Sequence, residues 1–115
     1  MKIKVKRIYE KATRQDGLRV LVDRLWPRGV SKKEAAIQHW FKEIAPSDKL
    51  RRWFNHDPEK WEEFRSRYFS ELNKKSDLVK ELLNYSKAST LTLVFGTKEQ
   101  IYNNANALKE YLEKV

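Results

Sequence analysis

The sequence predicts an α/β fold, with about three strands wrapped by four to five helices. Residues 20–22 and 91–95 are continuous apolar runs, the pattern of strands covered on both faces and typical of parallel sheets. Helix-capping sequences precede stretches whose apolar residues recur at helical spacing. The 115 residues suffice for one hydrophobic core, so we expect a single domain spanning residues 1–115.

The chain is strongly basic, with 25 Lys and Arg against 16 Asp and Glu and a formal net charge of +9. Such a field attracts polyanions, including nucleic acid, nucleotides, phosphorylated metabolites and acidic proteins. The same composition also suits a soluble or heat-adapted surface. Nucleic-acid binding is therefore an alternative function that charge alone does not establish.

Several classes of protein are disfavoured by what the sequence does not contain. It has no apolar run of the roughly 18 residues needed for a membrane span and no secretion leader, so we expect a cytoplasmic protein. It has no cysteine and two histidines, which disfavours thiol chemistry and a metal site. We expect neither a metal nor a cofactor.

The first predicted strand, residues 2–9, alternates apolar residues with lysines, as expected of an edge strand protected against intermolecular pairing. The polar connection over residues 10–17 is short for a parallel crossover. The first two strands could therefore be antiparallel or parallel. The second strand occupies residues 18–22.

Four helix starts are indicated between the second and third strands, and the first three lie in residues 31–58. Ser31 to Glu34 has capping-box form and predicts a helix that buries Ile37, Trp40, Phe41 and Ile44 and ends at Pro46. Ser47 can cap a short second helix. Asp57 and Pro58 suit the N-cap and first position of a third.

The remaining elements follow the same logic. Ser76 can cap a helix that buries Leu78, Val79, Leu82 and Leu83, before the strand at residues 91–95. A second capping box at residues 97–100 predicts the start of the final helix. Its buried stripe would contain Ile101, Ala105, Leu108, Leu112 and Val115.

The stretch from residue 18 to residue 29 is the best candidate for a site. An apolar strand leads there into Asp23, Arg24, Trp26, Arg28 and Gly29. Ligands of open α/β sheets bind just outside the carboxyl ends of the strands, which is where these residues fall. This turn therefore predicts the position of a functional site.

The chemistry of this turn suggests an anion pocket. Arg28 or Arg24 would bind a phosphate or carboxylate through two hydrogen bonds, and Lys98 would add a point charge. Asp23 would act as a base or as an orienting acceptor. The alternative is purely structural, with Asp23 in a salt bridge to an arginine that holds the turn.

Four further residues are candidates, each with a structural alternative. Arg51 can face the same pocket, and His56 can transfer protons or merely help cap the next helix. Trp26 can stack on a base, wall the pocket or pack in the core. Asn103 can hydrogen-bond a ligand or the Trp26 loop.

These residues resemble the domain-of-unknown-function 488 family, in its short YeaO-like branch. The likeness spans nearly the whole chain, and the block at residues 22–29 is the most specific. It is carried by Val22-Asp-Arg-Leu-Trp-Pro-Arg-Gly29, Ile44-Ala-Pro-Ser47 with Leu50-Arg51, Tyr68 with Glu71-Leu72, and Leu91-Thr-Leu93 with Lys98, Asn103, Ala105 and Leu108.

The resemblance implies a small Rossmann-like fold with mostly parallel strands, and it supplies no reaction. The chain departs from the family at two places. It reads Asn103-Asn104-Ala105 where the family commonly has Asn-His-Ala, and it lacks the Cys-His-Arg cluster that is frequent near the start of that helix. Thiol chemistry is therefore excluded at that site.

The sequence thus predicts an Arg-rich anion pocket that acts on or senses a nucleotide or phosphorylated small molecule. A nucleic-acid-binding module and a non-catalytic interaction domain are the alternatives. Oligomeric state is not predicted. The catalytic candidates are Asp23 and His56, and the ligand-binding candidates are Arg24, Trp26, Arg28, Gly29, Arg51, Lys98 and Asn103.

Overall fold

The computed structural model describes residues 2–115 and contains a sheet of four parallel strands in the order β1-β4-β2-β3. The predicted α/β class and parallel strands are confirmed, in an arrangement compatible with a small Rossmann-like domain. The sheet has one more strand than the sequence suggested. The strands are β1 (Ile3–Arg7), β2 (Leu18–Leu21), β3 (His39–Trp40) and β4 (Leu91–Phe95).

The described part of the chain forms five α-helices and three short 3-10 turns. The helices α4 and α5 pack on the sheet, and α3 packs against α2, α4 and α5. No helix in residues 2–115 is long and apolar enough to cross a lipid bilayer. The helices are α1 (Lys32–Ala35), α2 (Asp48–Phe54), α3 (Trp61–Asn73), α4 (Ser76–Ala88) and α5 (Asn104–Lys114).

The last strand in the sequence, β4, lies between the first two, and all five of its residues are buried. Leu91 is in register with Ile3 on one side and Leu18 on the other. The first two strands are therefore both parallel to β4 and do not pair with each other, which resolves their orientation. β1 lies at an edge of the sheet, as its alternating lysines predicted.

Alternation along the strands divides the apolar side chains between the two faces of the sheet. Val20 and Val22 belong to the main core beneath the helices, whereas Leu21 joins a smaller cluster on the opposite face. That second face is covered by Trp26, Ile37 and other side chains from residues 26–40. The prediction that this strand is covered on both faces is confirmed, since all three residues are fully buried.

The predicted long helix from Ser31 to Ile44 is wrong. The cap itself forms, with the Ser31 hydroxyl accepting from the Glu34 amide at 3.1 Å, but the helix ends at Ala36 in the left-handed region (φ 50°). The chain then pairs with β2, as Phe41 N donates to Leu21 O at 2.9 Å. Strand geometry sends Trp40 to the smaller cluster and Phe41 to the main core, and a local helical pattern cannot anticipate that pairing.

The predicted start of the last helix at residues 97–100 is also wrong. Thr97 and Glu99 cap a local turn instead, in which the Glu99 carboxylate accepts from the amides of Ile101 and Tyr102. The helix α5 begins at Asn104, capped by Asn103. Ile101 is consequently 64% exposed and not buried.

Smaller differences concern the ends of other helices. Val115 is exposed, contrary to the predicted buried stripe. Ser76 is the first residue of α4 and provides no side-chain cap. The predicted cap at Ser47 is confirmed. Asp57 is an N-cap followed by Pro58 at the first position, as predicted, but the element they begin is a 3-10 turn at Pro58–Lys60 that precedes α3.

A buried ion pair stabilises the second face of the sheet beyond the smaller cluster. Asp16 and Arg19 are each only 2% exposed, and their Oδ2 and Nη1 atoms lie 2.7 Å apart. Lys6 Nζ lies 3.0 Å from Asp16 Oδ1, and the Thr13 amide donates to the same carboxylate. Burial alone would raise the pKa of Asp16, but these hydrogen bonds lower it from 3.8 to about 2.

We expect Asp16→Ala to lower the free energy of unfolding at pH 7 by about 3–5 kcal/mol, because the Arg19 guanidinium would remain buried without its counter-ion. Asp77→Ala, at the exposed start of α4, should cost less than about 1 kcal/mol. Urea denaturation of both variants measures the difference. Equal costs would show that the Asp16 pair contributes no more than a surface acid.

The same pair should make stability pH-dependent in the acid range. Because the folded pKa of Asp16 (about 2) lies below the ordinary value of 3.8, its contribution is present above pH 4 and is lost as pH falls towards 2. Urea denaturation over this range should show that the free energy of unfolding falls in the wild type and falls less in Asp16→Ala. Parallel losses in the two proteins would contradict the assignment.

Candidate functional site

A cleft of about 350 Å³ lies at the carboxyl ends of β2 and β4. This is where parallel α/β sheets bind ligands, and the volume lies at the small end of the roughly 300–1,000 Å³ of small-molecule sites. The lining combines the loop after β2, the region of α2 and the approach to α5. It consists of Asp23, Arg24, Leu25, Ala45, Pro46, Asp48, Arg51, Phe54, His56, Phe64, Thr97, Tyr102, Asn103 and Asn104.

The structure brings together some of the candidate residues and separates others. The candidates that line the cleft are Asp23, Arg24, Arg51, His56 and Asn103. Those that lie outside its lining are Trp26, Arg28, Gly29 and Lys98. The arginine that reaches the cleft from the turn is therefore Arg24.

Asp23 connects three parts of the fold. Its Oδ2 accepts from the Gly96 amide after β4 at 2.8 Å, and its Oδ1 accepts from Asn104 Nδ2 at the start of α5 at 3.3 Å. Its carbonyl accepts from Trp40 Nε1 at 2.7 Å. Within residues 2–115 no arginine pairs with Asp23, so it holds the turn through amides and not through the salt bridge considered from sequence.

The environment of Asp23 shifts the pKa of its carboxyl upwards. Burial raises the pKa of this carboxyl, and the hydrogen bonds from Gly96 and Asn104 only partly offset that effect. Both oxygens already accept hydrogen bonds from the protein. Asp23 therefore acts as an internal clasp, and any proton transfer by it would have to break these contacts.

Arg24 lines the cleft and makes only long contacts to its acceptors. It reaches the carbonyls of Ala45 and Pro46 only at 3.4 and 3.5 Å, and it lies 3.9 Å from Asp48 and 4.0 Å from Glu43. Its Nε has no hydrogen-bond partner in the described structure. Because Nε is buried, the donors left for an added acceptor are those of Nη1 and Nη2, which make only long contacts.

Arg51 adds a second guanidinium on the same side of the cleft. Its Nη2 lies 3.5 Å from Asp48 Oδ1, the same oxygen that approaches Arg24. Asp48 therefore stands between the two arginines. Because Glu43 also lies 4.0 Å from Arg24, two carboxylates accompany the two cations at this corner of the cleft, each at 3.5 Å or more.

The floor and mouth of the cleft are apolar. Phe54 and Phe64 stack with ring centroids 4.3 Å apart, and Tyr102 meets Trp61 edge to face at 5.5 Å. Leu25, on the loop after β2, is 71% exposed and belongs to the lining. A ligand with an apolar body would cover these surfaces.

His56 lies at the rim of the cleft in an unusual backbone conformation. It and Asn55 both have positive φ (55° and 45°), which turns the chain after α2. Hydrogen bonds from the Tyr102 and Ile101 amides lower the pKa of the Glu99 carboxyl, and the charge of His56 lowers it further. His56 is exposed and lies near Phe54, with ring centroids 6.5 Å apart.

Asn103 has both ends of its side chain engaged within the protein. Its Oδ1 caps α5 by accepting from the Asn106 amide at 2.9 Å, and its Nδ2 donates to Glu99 O at 2.8 Å. It is buried and shapes one wall of the cleft. Its neighbour Asn104, which replaces the histidine common in the resembled family, is the residue that contacts Asp23.

The turn residues outside the lining have other contacts. Trp26 donates from Nε1 to Val30 O and packs edge to face on Trp40 at 5.5 Å, partly buried against the smaller cluster. Arg28 is exposed, and its carbonyl accepts from the Tyr9 hydroxyl. Gly29 has φ 75°, a conformation that suits glycine at this turn. Lys98 is exposed on the loop after β4.

Sequence reasoning missed the network that holds the wall at residues 44–47. Glu71 accepts from both the amide and the hydroxyl of Ser47, at 2.8 and 2.6 Å. The Tyr68 hydroxyl donates to Ile44 O, and Lys75 Nζ donates to Ala45 O. Tyr68, Glu71 and Lys75 are spaced by three and four residues, so they fall on one face of α3 and its continuation. That spacing was the sequence signal for this network.

Burial perturbs two members of this network. It raises the pKa of the Tyr68 hydroxyl well above its usual range and lowers the pKa of the Lys75 ammonium. Both groups donate to backbone carbonyls of the cleft wall, Tyr68 to Ile44 O and Lys75 to Ala45 O. Among residues 2–115 no cluster of His, Asp and Glu has an arrangement that could hold a metal ion.

The clasp predicts a difference between two Asp23 variants. Asp23→Ala should cost about 1–3 kcal/mol of unfolding free energy because the Gly96 amide loses its acceptor. Asp23→Asn should stay within about 1 kcal/mol of wild type, since it keeps that acceptor and gives up only the longer contact to Asn104. Urea denaturation at pH 7 compares them, and equal costs would show that the negative charge itself is required.

The raised pKa of Asp23 also predicts how the stabilities of wild type and Asp23→Asn change with pH. A carboxyl whose folded pKa exceeds its unfolded value contributes stability at low pH that is lost as pH rises through the folded pKa. Asp23→Asn should therefore gain stability relative to wild type on going from pH 4 to pH 8. A constant difference in urea midpoint over that range would contradict the raised pKa.

Comparison with known proteins places this architecture in a family. A family model described as "Inactive DUF488-N3 subclade" matches residues 2–115. The uncharacterized protein YeaO of Escherichia coli is 39% identical over 115 residues and is covered completely, as is this chain. The uncharacterized protein Rv3073c of Mycobacterium tuberculosis is 40% identical over 111 residues, which are 96% of this chain and 93% of that protein.

No solved structure matches the chain significantly. The whole-length family match and the identity to YeaO are sufficient for assignment without one. The residues that carried the resemblance also cluster in space, since Ser47 contacts Glu71 and Ile44 contacts Tyr68. The chain therefore belongs to the domain-of-unknown-function 488 family, in its YeaO-like branch.

Proposed function

We propose that this protein is a small-molecule-binding domain that senses an anionic ligand in the cleft between the loop after β2 and α2. The carrying observation is Arg24, which lines the cleft and whose terminal nitrogens make only long contacts, to Ala45 O at 3.4 Å, to Pro46 O at 3.5 Å and to Glu43 at 4.0 Å. A carboxylate or phosphoryl oxygen would give these nitrogens a closer acceptor. Arg51 would add a second cation to the same ligand.

The ligand class remains the one proposed from sequence, a nucleotide or another phosphorylated small molecule. The two guanidiniums beside Asp48, at 3.9 and 3.5 Å from its Oδ1, support an anion at one end of the cleft because neither makes a close ion pair. The exposed Leu25 and the aromatic floor support an apolar or aromatic body at the other. Arg24 and Arg51 take the roles for which Arg28 and Lys98 were also candidates.

Sensing is favoured over catalysis by the two candidate catalytic residues. The carboxylate of Asp23 already accepts hydrogen bonds from Gly96 and Asn104, which suits a structural clasp. His56 stands at the rim on an exposed turn. The matching family model carries the word "inactive" in its description, and a binding role for this chain is consistent with that word.

Thermal-shift and calorimetric titration of nucleotides, sugar phosphates and inorganic phosphate tests the proposal. A ligand should raise the melting temperature of the wild type by mass action. Arg24→Ala should weaken binding roughly 10-fold or more, because charge-assisted hydrogen bonds contribute about 1.5–3 kcal/mol. Arg28→Ala provides the matched comparison, as an exposed arginine on the same loop but outside the lining.

Each result has a distinct meaning. If Arg28→Ala lost binding and Arg24→Ala kept it, the ligand would be assigned to the turn and not to the cleft. No stabilisation by small anions, together with salt-sensitive binding of a DNA or RNA oligonucleotide, would favour the basic surface as a nucleic-acid-binding module. Absence of both kinds of binding would leave the interaction-domain alternative.

A further inference from the structure

The start of α5 presents an amide oxygen to the cleft, on the side away from the arginines. Asn104 donates from Nδ2 to Val22 O at 3.1 Å and to Asp23 Oδ1 at 3.3 Å, and these two acceptors fix which end of its amide is the nitrogen. Its Oδ1 accepts no hydrogen bond from residues 2–115 and is reachable by solvent from the cleft that Asn104 lines. This oxygen is therefore an acceptor for a ligand.

The same side of the cleft also offers hydroxyl donors. Thr97 Oγ1 accepts from the Glu99 amide at 3.2 Å, and neither its hydroxyl proton nor that of Tyr102 has an acceptor in the described part of the chain. The ring of His56, at the rim, makes no hydrogen bond to any described residue. An amide oxygen and hydroxyl donors together can pair with a ligand edge that carries both donors and acceptors, and nucleobase edges have that pattern.

The aromatic floor of the cleft, formed by Phe54, Phe64 and Tyr102, suits the face of such a base. A base lying there would cover these rings and the exposed Leu25 with its face and direct only its edge at Asn104. The hydroxyls of a hexose would meet the same apolar surface without partners, which is unfavourable. A cavity of about 150 Å³ binds benzene, so a cleft of about 350 Å³ has room for a base and a ribose.

The charges around the two arginines limit the length of the phosphate chain. Arg24 and Arg51 lie 3.9 and 3.5 Å from the same oxygen of Asp48, and Glu43 lies 4.0 Å from Arg24. Both carboxylates are more than half exposed, so solvent screens them and one phosphate can contact the two guanidiniums. Further phosphoryl groups would approach these acids and would find no other Lys or Arg among the described residues that line the cleft. This corner therefore suits a monophosphate better than a triphosphate.

We propose that the ligand is a nucleoside monophosphate, whose phosphate binds Arg24 and Arg51 while its base packs on the aromatic floor with its edge at Asn104 and Thr97. This inference rests on the proposed function and narrows it to one class of phosphorylated molecule. The phosphate supplies a closer acceptor for the Arg24 nitrogens that now reach carbonyls at 3.4 and 3.5 Å. The base pairs with the amide oxygen and the hydroxyl donors, and the ribose lies at the mouth, where water reaches its hydroxyls.

The probes separate the base, the phosphate and the length of the phosphate chain. Calorimetric titration first ranks AMP, GMP, CMP and UMP, and the tightest of them is compared with its nucleoside, its triphosphate and ribose 5-phosphate. We expect this monophosphate to bind roughly 10-fold or more tightly than the nucleoside, which lacks the charged group, and than ribose 5-phosphate, which lacks the stacked base. The triphosphate should bind more weakly than the monophosphate.

Variants assign each part of the nucleotide to its side of the cleft. Arg24→Ala, or Arg51→Ala should the first fold poorly, should weaken binding of the monophosphate and of ribose 5-phosphate by roughly 10-fold and leave the nucleoside unchanged. Asn104→Ala should weaken the monophosphate by roughly 5-fold and leave ribose 5-phosphate unchanged, a difference that general loosening of the cleft would not produce. Asn106→Ala is its matched control, since this residue also donates to two backbone carbonyls from α5 but lies outside the lining. Thr97→Val, with Thr97→Ser as control, gives a second test of the base contact.

The outcomes separate this inference from the proposed function. If ribose 5-phosphate or the triphosphate binds as tightly as the monophosphate, and Arg24→Ala weakens that binding, the nucleoside monophosphate is overturned and the anion-binding cleft stands. The inference is also overturned if Asn104→Ala and Thr97→Val both leave the preference for the monophosphate over ribose 5-phosphate unchanged. If no phosphorylated probe in the series binds the wild type, both proposals fail.

Discussion

The rest of the structure depends on the insertion of β4 between β1 and β2. This strand is buried along its whole length and pairs in parallel on both sides. Because the strands are parallel, the ends of β2 and β4 meet at one edge, which brings the residue after β2 next to the residues after β4. The hydrogen bond from Gly96 to Asp23 joins them there at 2.8 Å.

That bond fixes one wall of the cleft to the sheet. Asp23 is fixed to Gly96 and Asn104, so the neighbouring Arg24 must project away from the clasp and towards α2. The opposite wall is equally constrained, as Glu71 grips Ser47 with two hydrogen bonds. A cleft held from both sides by secondary structure is preorganised, which would lower the entropic cost of binding the proposed ligand.

Much of the fold was predictable from local patterns, and the failures share one physical cause. The buried strands, the caps at Ser47 and Asp57 and the edge position of β1 all follow from signals within a few residues. The Ser31 helix failed because residues 38–41 gain more from pairing with β2 than from continuing a helix. The sequence predicted that the candidate site follows β2. It did not predict that Arg24 would line the cleft and that Arg28 would lie outside it.

The sequence by itself determined the α/β class, the basic charge, the family and the turn at which to look for function, because these depend on periodicity, composition and short motifs. Only the tertiary structure decided which groups share the cleft, since its contacts join residues far apart in the chain. The bond from Gly96 to Asp23 spans 73 positions, and no local signal encodes it. This bond holds Asp23 in the interior contact. The tertiary structure also places Arg24 in the lining of the cleft and puts Asp48 next to both Arg24 and Arg51.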